Sequence, residues 1–308
     1  MSPPRLLVSV PDGQLRDALD PLPANVEFME WDMTSPAPID AIDIVVPPYL
    51  KTLEVLHRLA DVRTRLVQSQ SIGYDGVAEL LPPGVTFANA ASVHETSAAE
   101  LALALILASL RGIPDFVRAA GQGRWAPSWH ESLADRTVLL IGYGGVGQAV
   151  EERLRPFEVN VVRVARTERT DERGTVYATS ALPQLLPVAD VVVVSVPLNE
   201  ETTRLVDDAF LSAMRDGALL VNVARGGVAD TSALLHHASS QRLRLALDVT
   251  EPEPLPEGHP LFALSNVLIT PHVGGATSAM LPRMARLLNE QITRMARGDE
   301  PRNVVIRT

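Results

Sequence analysis

Up to Asn89, the chain alternates short apolar runs rich in β-branched residues with helical or turn-rich spacers. Strands that alternate with helix-length spacers are typical of a parallel sheet whose two faces are both covered. The pattern therefore predicts an α/β domain at the start of the chain, with strands at Arg5–Val10, Ile42–Val46, Arg65–Ser69 and Val85–Ala88.

A longer apolar stretch follows and predicts a helix. It runs from Ala98 to Leu110, with Thr96 or Ser97 as the N-cap and Glu100 in the first turn. That is about thirteen residues, too few to span a bilayer, so the stretch indicates a buried helix. Because nearly every face is apolar, we expect it to be buried all round, between two domains and against a second copy of the chain.

From Thr137 onward the alternation becomes more regular. Helical spacers such as Val146–Leu154 and Asp230–Ser239 separate six predicted strands, and parallel strands linked in this way form a doubly wound nucleotide-binding sheet. A last helix, at about Ser278–Arg297, and the run Asn303-Val-Val-Ile are expected to return to the first domain. The six strands are Thr137–Ile141, Asn160–Ala165, Val191–Val196, Ala218–Val223, Arg244–Val249 and Val267–Thr270.

Composition narrows the class of protein. The 308 residues suggest two domains, at roughly 150 residues each, and the 46% apolar and 21% charged fractions are those of a soluble globular protein. The absence of cysteine excludes thiol nucleophiles, disulfides and zinc–cysteine sites. A net charge of −10 argues against nucleic acid as a partner. The start, Met1-Ser-Pro-Pro-Arg, lacks a secretion-signal pattern, so we expect a cytoplasmic protein with no membrane partner.

The sharpest local motif is Gly142-Tyr-Gly144-Gly-Val-Gly147, which matches G-x-G-x-x-G. It directly follows an apolar strand and opens a helix. In that setting Gly142 allows the tight turn, Gly144 lets the backbone approach a pyrophosphate, and Gly147 lets helix and strand pack closely. The phosphates would meet the positive end of the helix and its free N–H groups. The motif therefore predicts dinucleotide binding.

The end of the next strand bears on which dinucleotide is bound. NAD enzymes place Asp or Glu about 20 residues after the motif, on the ribose 2′-hydroxyl, and no acid lies there in this chain. Ala165 is followed by Arg166 and Thr167, and Arg163 and Arg169 are further cations that could reach a phosphate. An arginine fork suits a 2′-phosphate, whereas a carboxylate would repel it. We therefore expect NADP(H) to be favoured over NAD(H); a solvated surface role for Arg166 is the alternative.

Three polar segments follow later strands, at the edge where ligands bind in open α/β sheets. They supply an arginine, a carboxylate and an imidazole, which together suit the reduction of a carbonyl beside a carboxylate. Arg225 could bind the substrate carboxylate, and His272 could deliver the proton, because imidazole changes charge near neutral pH. Glu253 could hold the imidazolium and fix its ring. The segments are Asn222-Val-Ala-Arg225, Asp248-Val-Thr-Glu-Pro-Glu253 and Thr270-Pro-His272.

Further motifs accompany these segments in a fixed order: Gly73-Tyr-Asp75, Ala99-Glu-Leu, the glycine motif, Val196-Pro-Leu, Val223-Ala-Arg-Gly, Asp248-Val and Pro271-His-Val-Gly-Gly. On these motifs the chain resembles the D-isomer-specific 2-hydroxyacid dehydrogenase family, and most of all its NADP-preferring glyoxylate/hydroxypyruvate reductases. The resemblance runs from about Ser69 to the C-terminus and is weak before it. It implies that Arg225, Glu253 and His272 are catalytic. Glu253 is preferred to Glu251 because the family's acid precedes a proline five residues after the strand-end Asp.

The resemblance also implies a fold and further contacts. It implies a Rossmann dinucleotide-binding domain, residues 98–280, inserted in a flavodoxin-like substrate domain, residues 1–97 and 281–308. The substrate, a small 2-oxo acid, would be bound by the backbone around Ile72 and Gly73 together with Arg225 and His272, and Asp248 would meet the nicotinamide carboxamide. The predicted cofactor-binding residues are Gly142, Gly144, Gly145, Val146, Gly147, Arg166, Thr167, Val196, Val223, Ala224, Arg225, Asp248, His272 and Gly274.

Several alternatives stay open at this point. A nucleotide-sensing binding protein, like the family's corepressor relatives, would share the fold, and a formate- or phosphite-type dehydrogenase would change the substrate. His94 could reach the substrate site, or it could pack at the start of the apolar helix. The tandem His236-His237, on a predicted surface helix, has no third ligand in view, so we expect no metal site. The helix Ala98–Leu110 predicts a homodimer.

Overall fold

The structure is a computed structural model, and it describes residues 5–22 and 24–308. These residues form two compact units. The first unit ends at His94 and resumes at Thr277, and the second unit is Glu95–Ala276. Each unit has its own sheet and its own hydrophobic core.

Strands and helices alternate through both units. The strands are β1 Leu6–Val10, β2 Val26–Glu30, β3 Ile44–Val45, β4 Leu66–Gln68, β5 Thr86–Ala88, β6 Thr137–Ile141, β7 Asn160–Ala165, β8 Arg169–Asp171, β9 Gly174–Ala178, β10 Val191–Val194, β11 Leu219–Asn222, β12 Arg244–Leu247, β13 Val267–Ile269 and β14 Val304–Arg307. The α-helices are α1 Gly13–Asp17, α2 Thr52–Val55, α3 Glu95–Leu110, α4 Ile113–Gly121, α5 Gly145–Leu154, α6 Leu182–Leu185, α7 Asp208–Ala213, α8 Thr231–Ser239 and α9 Met280–Arg297.

In the first unit the strands form one sheet in the order β14-β5-β4-β3-β1-β2. The strands β1 to β5 are parallel, and β14 pairs antiparallel with β5 at the edge. Without β14 the order is 2-1-3-4-5, which is the flavodoxin-like order. Leu15 of α1 and Leu288 of α9 pack on one face of the sheet, and Leu56 and Leu59 belong to the core on the other face.

In the second unit the strand order is β13-β12-β11-β10-β6-β7-β9-β8. Counted along the chain without the antiparallel β8, this is the Rossmann order 3-2-1-4-5-6 with a seventh strand at the edge. Successive residues of β6 enter opposite cores, because side chains alternate along a strand. Leu139 packs in the core that includes α7 and α8, and Leu140 in the core that includes α3 and α5. The predicted fold class, two doubly wound α/β domains, is confirmed by the two strand orders.

Four strands, β2, β8, β9 and β14, were not predicted as strands, and the second sheet has eight strands rather than six. In the hairpin β8–β9, every residue of β8 is exposed and only Val176 of β9 is buried. The edge strand β2 has no fully buried residue. The strand β14 has no fully buried residue either, so none of the four presents a buried apolar run. The predicted bounds of β6 and β7 are right, and the other predicted strands are slightly shorter in the structure.

The helix α3 differs from its prediction in two ways. It begins at Glu95, so Thr96 and Ser97 lie in its first turn and neither is the N-cap. An acid at this position is favourable because it faces the positive end of the helix dipole. The helix is also not buried all round, since Glu100 and Ala104 are exposed. In the described residues no single helix is long and apolar enough to cross a membrane; α3 and α4 meet that length and composition only as a pair, bent by 68°.

Candidate active site

The glycine turn between β6 and α5 lies at the carboxyl edge of the second sheet, where β6 runs between β7 and β10. Gly142 has a φ of +97°, and a Cβ there would lie 2.7 Å from the carbonyl carbon of Ser195. A Cβ at Gly147 would collide with the carbonyl oxygen of Gly142. Both positions therefore require glycine, the first for the turn and the second for the close approach of helix to strand.

The start of α5 fits the pyrophosphate of a dinucleotide. Gly144 caps the helix without a side-chain hydrogen bond, so the first amides of α5, from Gly145 onward, have no side-chain acceptor at the cap. A Cβ at Gly144 would meet no atom within 4 Å, which leaves the backbone open to a ligand. The positive end of the helix favours an anion at this place. The glycine turn and Val146 could therefore hold the phosphates of the cofactor.

The segment after β7 presents two cations, Arg166 and Arg169, with the exposed Glu168 between them. Ala165 is the last residue of β7, and Arg166 and Thr167 after it are exposed. Among the residues that the structure describes, the Arg166 guanidinium has no ion-pair partner. Arg169 donates from Nη2 to the carbonyl of Tyr143, in the glycine turn, at 3.0 Å, and its guanidinium lies 5.8 Å from the centre of the Tyr143 ring. The strand end is therefore a cationic surface beside the glycine turn.

Arg163, the third cation predicted to reach a phosphate, is buried and pairs with carboxylates of the protein instead. Its side chain is 7% exposed and lies 3.8 Å from Glu151 and 3.1 Å from Asp171. Glu151 is also buried; it accepts from the Tyr143 hydroxyl and lies 3.0 Å from Arg173. Burial, together with the hydrogen bond to Glu151, raises the pKa of Tyr143. Because Arg163 is buried and paired with these carboxylates, the prediction that it reaches a phosphate is wrong. Removing one member of such a cluster would leave a buried charge unpaired.

The loop after β11 fixes Arg225 through its neighbours. Asn222, the last residue of β11, is 1% exposed, and its side chain donates to the Arg225 carbonyl at 3.1 Å and accepts from the Ala224 amide at 3.0 Å. Arg225 donates from Nη1 to the Ala224 carbonyl at 2.8 Å. A Cβ at Gly226 would collide with the carbonyl of Thr250. Glycine therefore lets this loop lie directly against the loop after β12.

The loop after β12 carries a carboxylate, the loop after β13 carries an imidazole, and the two groups meet. Glu253 Oε1 lies 2.5 Å from Nδ1 of His272, and because an ionised carboxylate only accepts, the hydrogen belongs to Nδ1. Burial alone would raise the pKa of the Glu253 carboxyl, but His272, the Thr250 amide and the charge of Arg225 outweigh burial and lower it. Glu253 is therefore ionised at neutral pH, and Nε2 is the ring nitrogen left for proton transfer.

Asp248 fixes the backbone around His272. Its buried carboxylate accepts from the Thr270 hydroxyl at 2.7 Å and from the amides of Val273 and Gly274, both at 2.9 Å, and its carbonyl accepts from the His272 amide at 2.8 Å. These bonds hold His272 at a φ of +52°, which is uncommon for a residue with a side chain. A carboxylate has about four acceptor positions, so one remains for the carboxamide that the resemblance assigns to Asp248.

The loops after β11, β12 and β13 thus bring a guanidinium, a carboxylate and an imidazole to one edge of the second sheet. Buried Val196 and half-buried Val223 follow β10 and β11 at the same edge. An imidazolium fixed by a carboxylate can donate a proton to a developing oxyanion, and a guanidinium binds a carboxylate with two parallel hydrogen bonds. This arrangement can protonate a carbonyl oxygen while it holds a neighbouring carboxylate.

In the first unit, Ile72 and Gly73 lie in the turn after β4, both half-buried. The carbonyl of Ile72 accepts from the side chain of Asn89 at 2.8 Å. Within residues 5–22 and 24–308, the amides of Ile72 and Gly73 donate to no protein acceptor. Neighbouring backbone amides of this kind can bind an anion, so the turn is able to receive a carboxylate.

The remaining histidines singled out in the sequence have structural contacts. His94 is buried, with Nε2 at 2.6 Å from the carbonyl of Gln70. His237, predicted on a surface helix, is buried instead, because α8 packs on α7 and places its Nε2 at 3.0 Å from Asp208. Across the described part of the chain, no group of three or more His, Asp or Glu side chains is arranged to hold a metal ion.

The sequence motifs did not predict two features that support the site. The role of Asn222 could have been predicted from the sequence, because a polar residue at the end of a buried strand needs hydrogen-bond partners for its side chain. The cluster of Tyr143 and Glu151 had none, because its members come from the glycine turn, α5 and the β8–β9 hairpin, and only the fold brings them together.

Comparison with known proteins identifies the family. Residues 103–274 match the family described as D-isomer specific 2-hydroxyacid dehydrogenase, NAD binding domain. The glyoxylate reductase of Pyrococcus furiosus is 33% identical over 258 residues, which cover 79% of this chain and 76% of the relative. The human glyoxylate reductase/hydroxypyruvate reductase is 31% identical over 294 residues, 90% of each chain.

Among solved structures, the chain is similar to a D-isomer specific 2-hydroxyacid dehydrogenase from Xanthobacter autotrophicus Py2, which was crystallised with NADPH and MES. The TM-score is 0.79 and the identity 28%, and the similarity covers 98% of both chains. The chain is thus similar to this enzyme in sequence and in fold over nearly its whole length. The chain belongs to the D-isomer specific 2-hydroxyacid dehydrogenase family and is an NAD(P)-dependent D-2-hydroxyacid dehydrogenase.

Proposed function

We propose that the protein reduces a small 2-oxo acid, with glyoxylate or hydroxypyruvate favoured, and uses NADPH as the reductant. The observation that carries the proposal is the pairing of His272 Nδ1 with Glu253 at 2.5 Å, close enough to Arg225 for its charge to act on the same carboxylate. The names of the relatives at 31% and 33% identity support the substrate class.

Each residue of this set has one role in the proposed reaction. NADPH, when bound, supplies the hydride. Arg225 binds the substrate carboxylate and polarises the neighbouring carbonyl, because its planar fork can donate to both oxygens. His272 donates a proton from Nε2 to the carbonyl oxygen, and Glu253 stabilises the imidazolium before that transfer. We also assign to the substrate carboxylate the amides of Ile72 and Gly73.

The preference for NADPH over NADH rests on the end of β7. Ala165 offers no acceptor to a ribose 2′-hydroxyl, and Arg166 and Thr167 are exposed donors beside the glycine turn. Arg169, which reaches the Tyr143 carbonyl from the same side, adds a second positive charge. A 2′-phosphate dianion would be attracted by this surface, whereas the 2′-hydroxyl of NADH would gain little from it.

A substrate panel tests this proposal. The purified protein is assayed with glyoxylate, hydroxypyruvate, pyruvate and a branched 2-oxo acid, each with NADPH and with NADH, by the loss of reduced-cofactor absorbance. We expect the highest kcat/KM for glyoxylate or hydroxypyruvate with NADPH. Formate and phosphite are offered with NADP⁺ and NAD⁺ in parallel arms. Oxidation of either without reduction of any 2-oxo acid, or cofactor binding without any turnover, would overturn the proposal.

We further propose that two copies associate through an apolar surface on the second unit, here called the tryptophan patch and formed by Ile113, Val117, Trp125 and Trp129. The two tryptophans are 96% and 101% exposed, and Val117 is 64% exposed. Large apolar side chains this exposed are more typical of an interaction surface than of the solvent-facing surface of a monomer. The segment that carries the tryptophans ends near Glu131, which pairs with Arg244 at 2.6 Å, and we assign this surface to contact with a second copy of the chain.

A further inference from the structure

Three loops of the first unit end at the same edge of its sheet and contact one another. Tyr49 follows β3, Gln70 follows β4 and His94 follows β5, and these three strands are parallel neighbours. Because the carboxyl ends of parallel strands share an edge, residues from distant parts of the sequence meet here. The turn that contains Ile72 and Gly73 continues directly from Gln70.

Residues of the segment after β5 donate hydrogen bonds to the carbonyl groups of this turn. His94 is 5% exposed, and its Nε2 lies 2.6 Å from the Gln70 carbonyl, which can only accept, so Nε2 carries the hydrogen. The Ala90 amide donates to the Ser71 carbonyl at 2.9 Å. The Asn89 side chain, 6% exposed, donates to the Ile72 carbonyl at 2.8 Å. Three successive carbonyls are therefore bound from one segment.

Fixing a carbonyl also fixes the following amide, because the two groups lie in one rigid plane and point in opposite directions across a trans peptide bond. The bond from His94 thereby directs the Ser71 amide, which donates to the Ser69 hydroxyl at 3.0 Å. The bond from Ala90 directs the Ile72 amide, and the bond from Asn89 directs the Gly73 amide. Those last two amides have no protein acceptor among the described residues.

The His94 ring is itself held by stacking. It lies nearly parallel to the Tyr49 ring, with 17° between the planes and 5.4 Å between the centres. The Gln70 side chain donates to the Pro47 carbonyl at 3.0 Å, which ties the turn to the loop that carries Tyr49. A buried ring fixed by a neighbouring ring and a carbonyl has little freedom to release the turn.

We infer that Asn89 and His94 are positioning residues for substrate binding: they hold the peptide planes of the Gln70–Gly73 turn so that the Ile72 and Gly73 amides present their hydrogens to the substrate carboxylate. The inference rests on the proposed function for the identity of that anion. Neither residue touches the substrate in this account.

Kinetics of two variants test the inference. Asn89→Ala removes a donor without adding charge, and His94→Phe keeps a ring that can stack on Tyr49 but loses the hydrogen on Nε2. In each variant we expect KM for glyoxylate to rise about 10-fold, which is the effect of losing one buried hydrogen bond. The inhibition constant of oxamate, an unreactive analogue of the substrate, should rise by the same factor. We expect kcat and KM for NADPH to change by less than about 3-fold. His94→Gln, which can place an amide donor near the position of Nε2, should restore most of the loss.

Two matched controls separate positioning from general damage. Asn266→Ala removes an asparagine donor to the carbonyls of Ala238 and Leu243 in the second unit, and His57→Phe changes an exposed histidine of the first unit. Both should leave KM for glyoxylate unchanged. If Asn89→Ala and His94→Phe lowered kcat, NADPH affinity and thermal stability without a selective rise in the KM for glyoxylate, their role would be structural only, and the inference would be overturned.

Hydrogen exchange keeps this test separate from that of the proposed function. In the absence of any substrate, the hydrogen-bonded amides of this turn, Ser69 and Ser71, should exchange about 10-fold faster in Asn89→Ala and His94→Phe than in the wild type, and at the wild-type rate in His94→Gln. Unchanged exchange in both variants would overturn the inference whatever the enzyme's substrate. Faster exchange in a protein whose wild type reduces no 2-oxo acid would instead count against the proposed function alone.

Discussion

Arg225 shows how much depends on the shape of one side chain. Its guanidinium donates to the carbonyl of Ala224, and Asn222 fixes the backbone on either side of it, so the planar group has a set orientation. A lysine would keep the charge but lose the planar fork. We therefore expect Arg225→Lys to raise KM for glyoxylate and lower kcat, by about 10- to 100-fold in kcat/KM, equal to the loss of one charge-assisted hydrogen bond. Unchanged steady-state kinetics would contradict the assignment.

The lowered pKa of Glu253 predicts how the stability of the protein depends on pH. Its pKa is lowered from the ordinary value of 4.5, because His272 and its other partners outweigh the effect of burial. A carboxyl group whose pKa is lower in the folded state stabilises that state above the unfolded value, and the contribution is lost as the pH falls through the folded value. We expect Glu253→Gln to lower the Tm at neutral pH, and the difference from wild type to shrink as the pH falls below 4.5.

Thermal unfolding of both proteins across an acidic pH series measures this difference. Because the Glu253 side chain is 40% exposed, solvent screens the interaction and the change in Tm will be small. A difference in Tm that stays constant through the acidic range would show that the Glu253 charge does not contribute to stability in this way.

At this scale the sequence predicted which residue types lie at the strand ends, but not how each is supported. The positions of Arg225 and His272 follow from polar residues directly after apolar strands. The clamp of Asp248 on Val273 and Gly274 could not be predicted, because it joins segments 25 and 26 residues apart in the sequence. Such bonds depend on the left-handed backbone at His272, which no local pattern signals.

At the scale of elements, every strand with a run of buried residues was predicted, and the strands that were missed lie at sheet edges or in an exposed hairpin. The strands β6 and β7 have the predicted bounds, and four of the five residues of β6 are fully buried. The hairpin β8–β9 gives no such signal, since Arg169–Asp171 is wholly exposed. This miss matters for function, because the hairpin carries Arg169 to the glycine turn and Asp171 to the buried Arg163.

The end of β7 carries the prediction about cofactor choice. A charge-assisted hydrogen bond is worth roughly 1.5–3 kcal/mol, so we expect kcat/KM to favour NADPH over NADH by about 10- to 150-fold. The double change Ala165→Asp and Arg166→Ala should reverse the preference, because the new carboxylate would repel a 2′-phosphate and accept from the ribose hydroxyls. The measurement is kcat/KM with each cofactor at saturating glyoxylate.

Arg169→Ala serves as the companion variant for this experiment. It removes the second cation of the strand end but leaves Ala165 and Arg166 in place, so we expect it to weaken the preference without reversing it. Equal use of NADH and NADPH by the wild type would contradict our interpretation of this strand end and leave the family assignment intact.

At the scale of the whole molecule, the tryptophan patch predicts the assembly. The sequence pointed to α3 as the dimer helix because of its apolar composition, whereas the largest exposed apolar side chains lie beyond α4, at Trp125 and Trp129. We expect sedimentation to give a particle of about twice the 33.2 kDa chain mass, and the double change Trp125→Ser and Trp129→Ser to give monomers.

Phe262 offers a control for this prediction, because it is a large apolar side chain of the same unit, 56% exposed, outside the patch. Phe262→Ser should leave the dimer intact. A wild-type protein that sediments as a monomer, or a tryptophan double variant that remains a dimer, would contradict the proposed surface.

The central claim is that His272 delivers the proton while the hydride is transferred to a 2-oxo acid, and one measurement tests it most directly. Protein loaded with NADPH is mixed rapidly with glyoxylate, and the loss of NADPH absorbance is followed in a single turnover for wild type and His272→Ala. We predict a rate lower by about 10²- to 10⁴-fold in the variant, the usual contribution of a general acid, with NADPH binding retained. A variant that binds NADPH and turns over at nearly the wild-type rate would contradict the account.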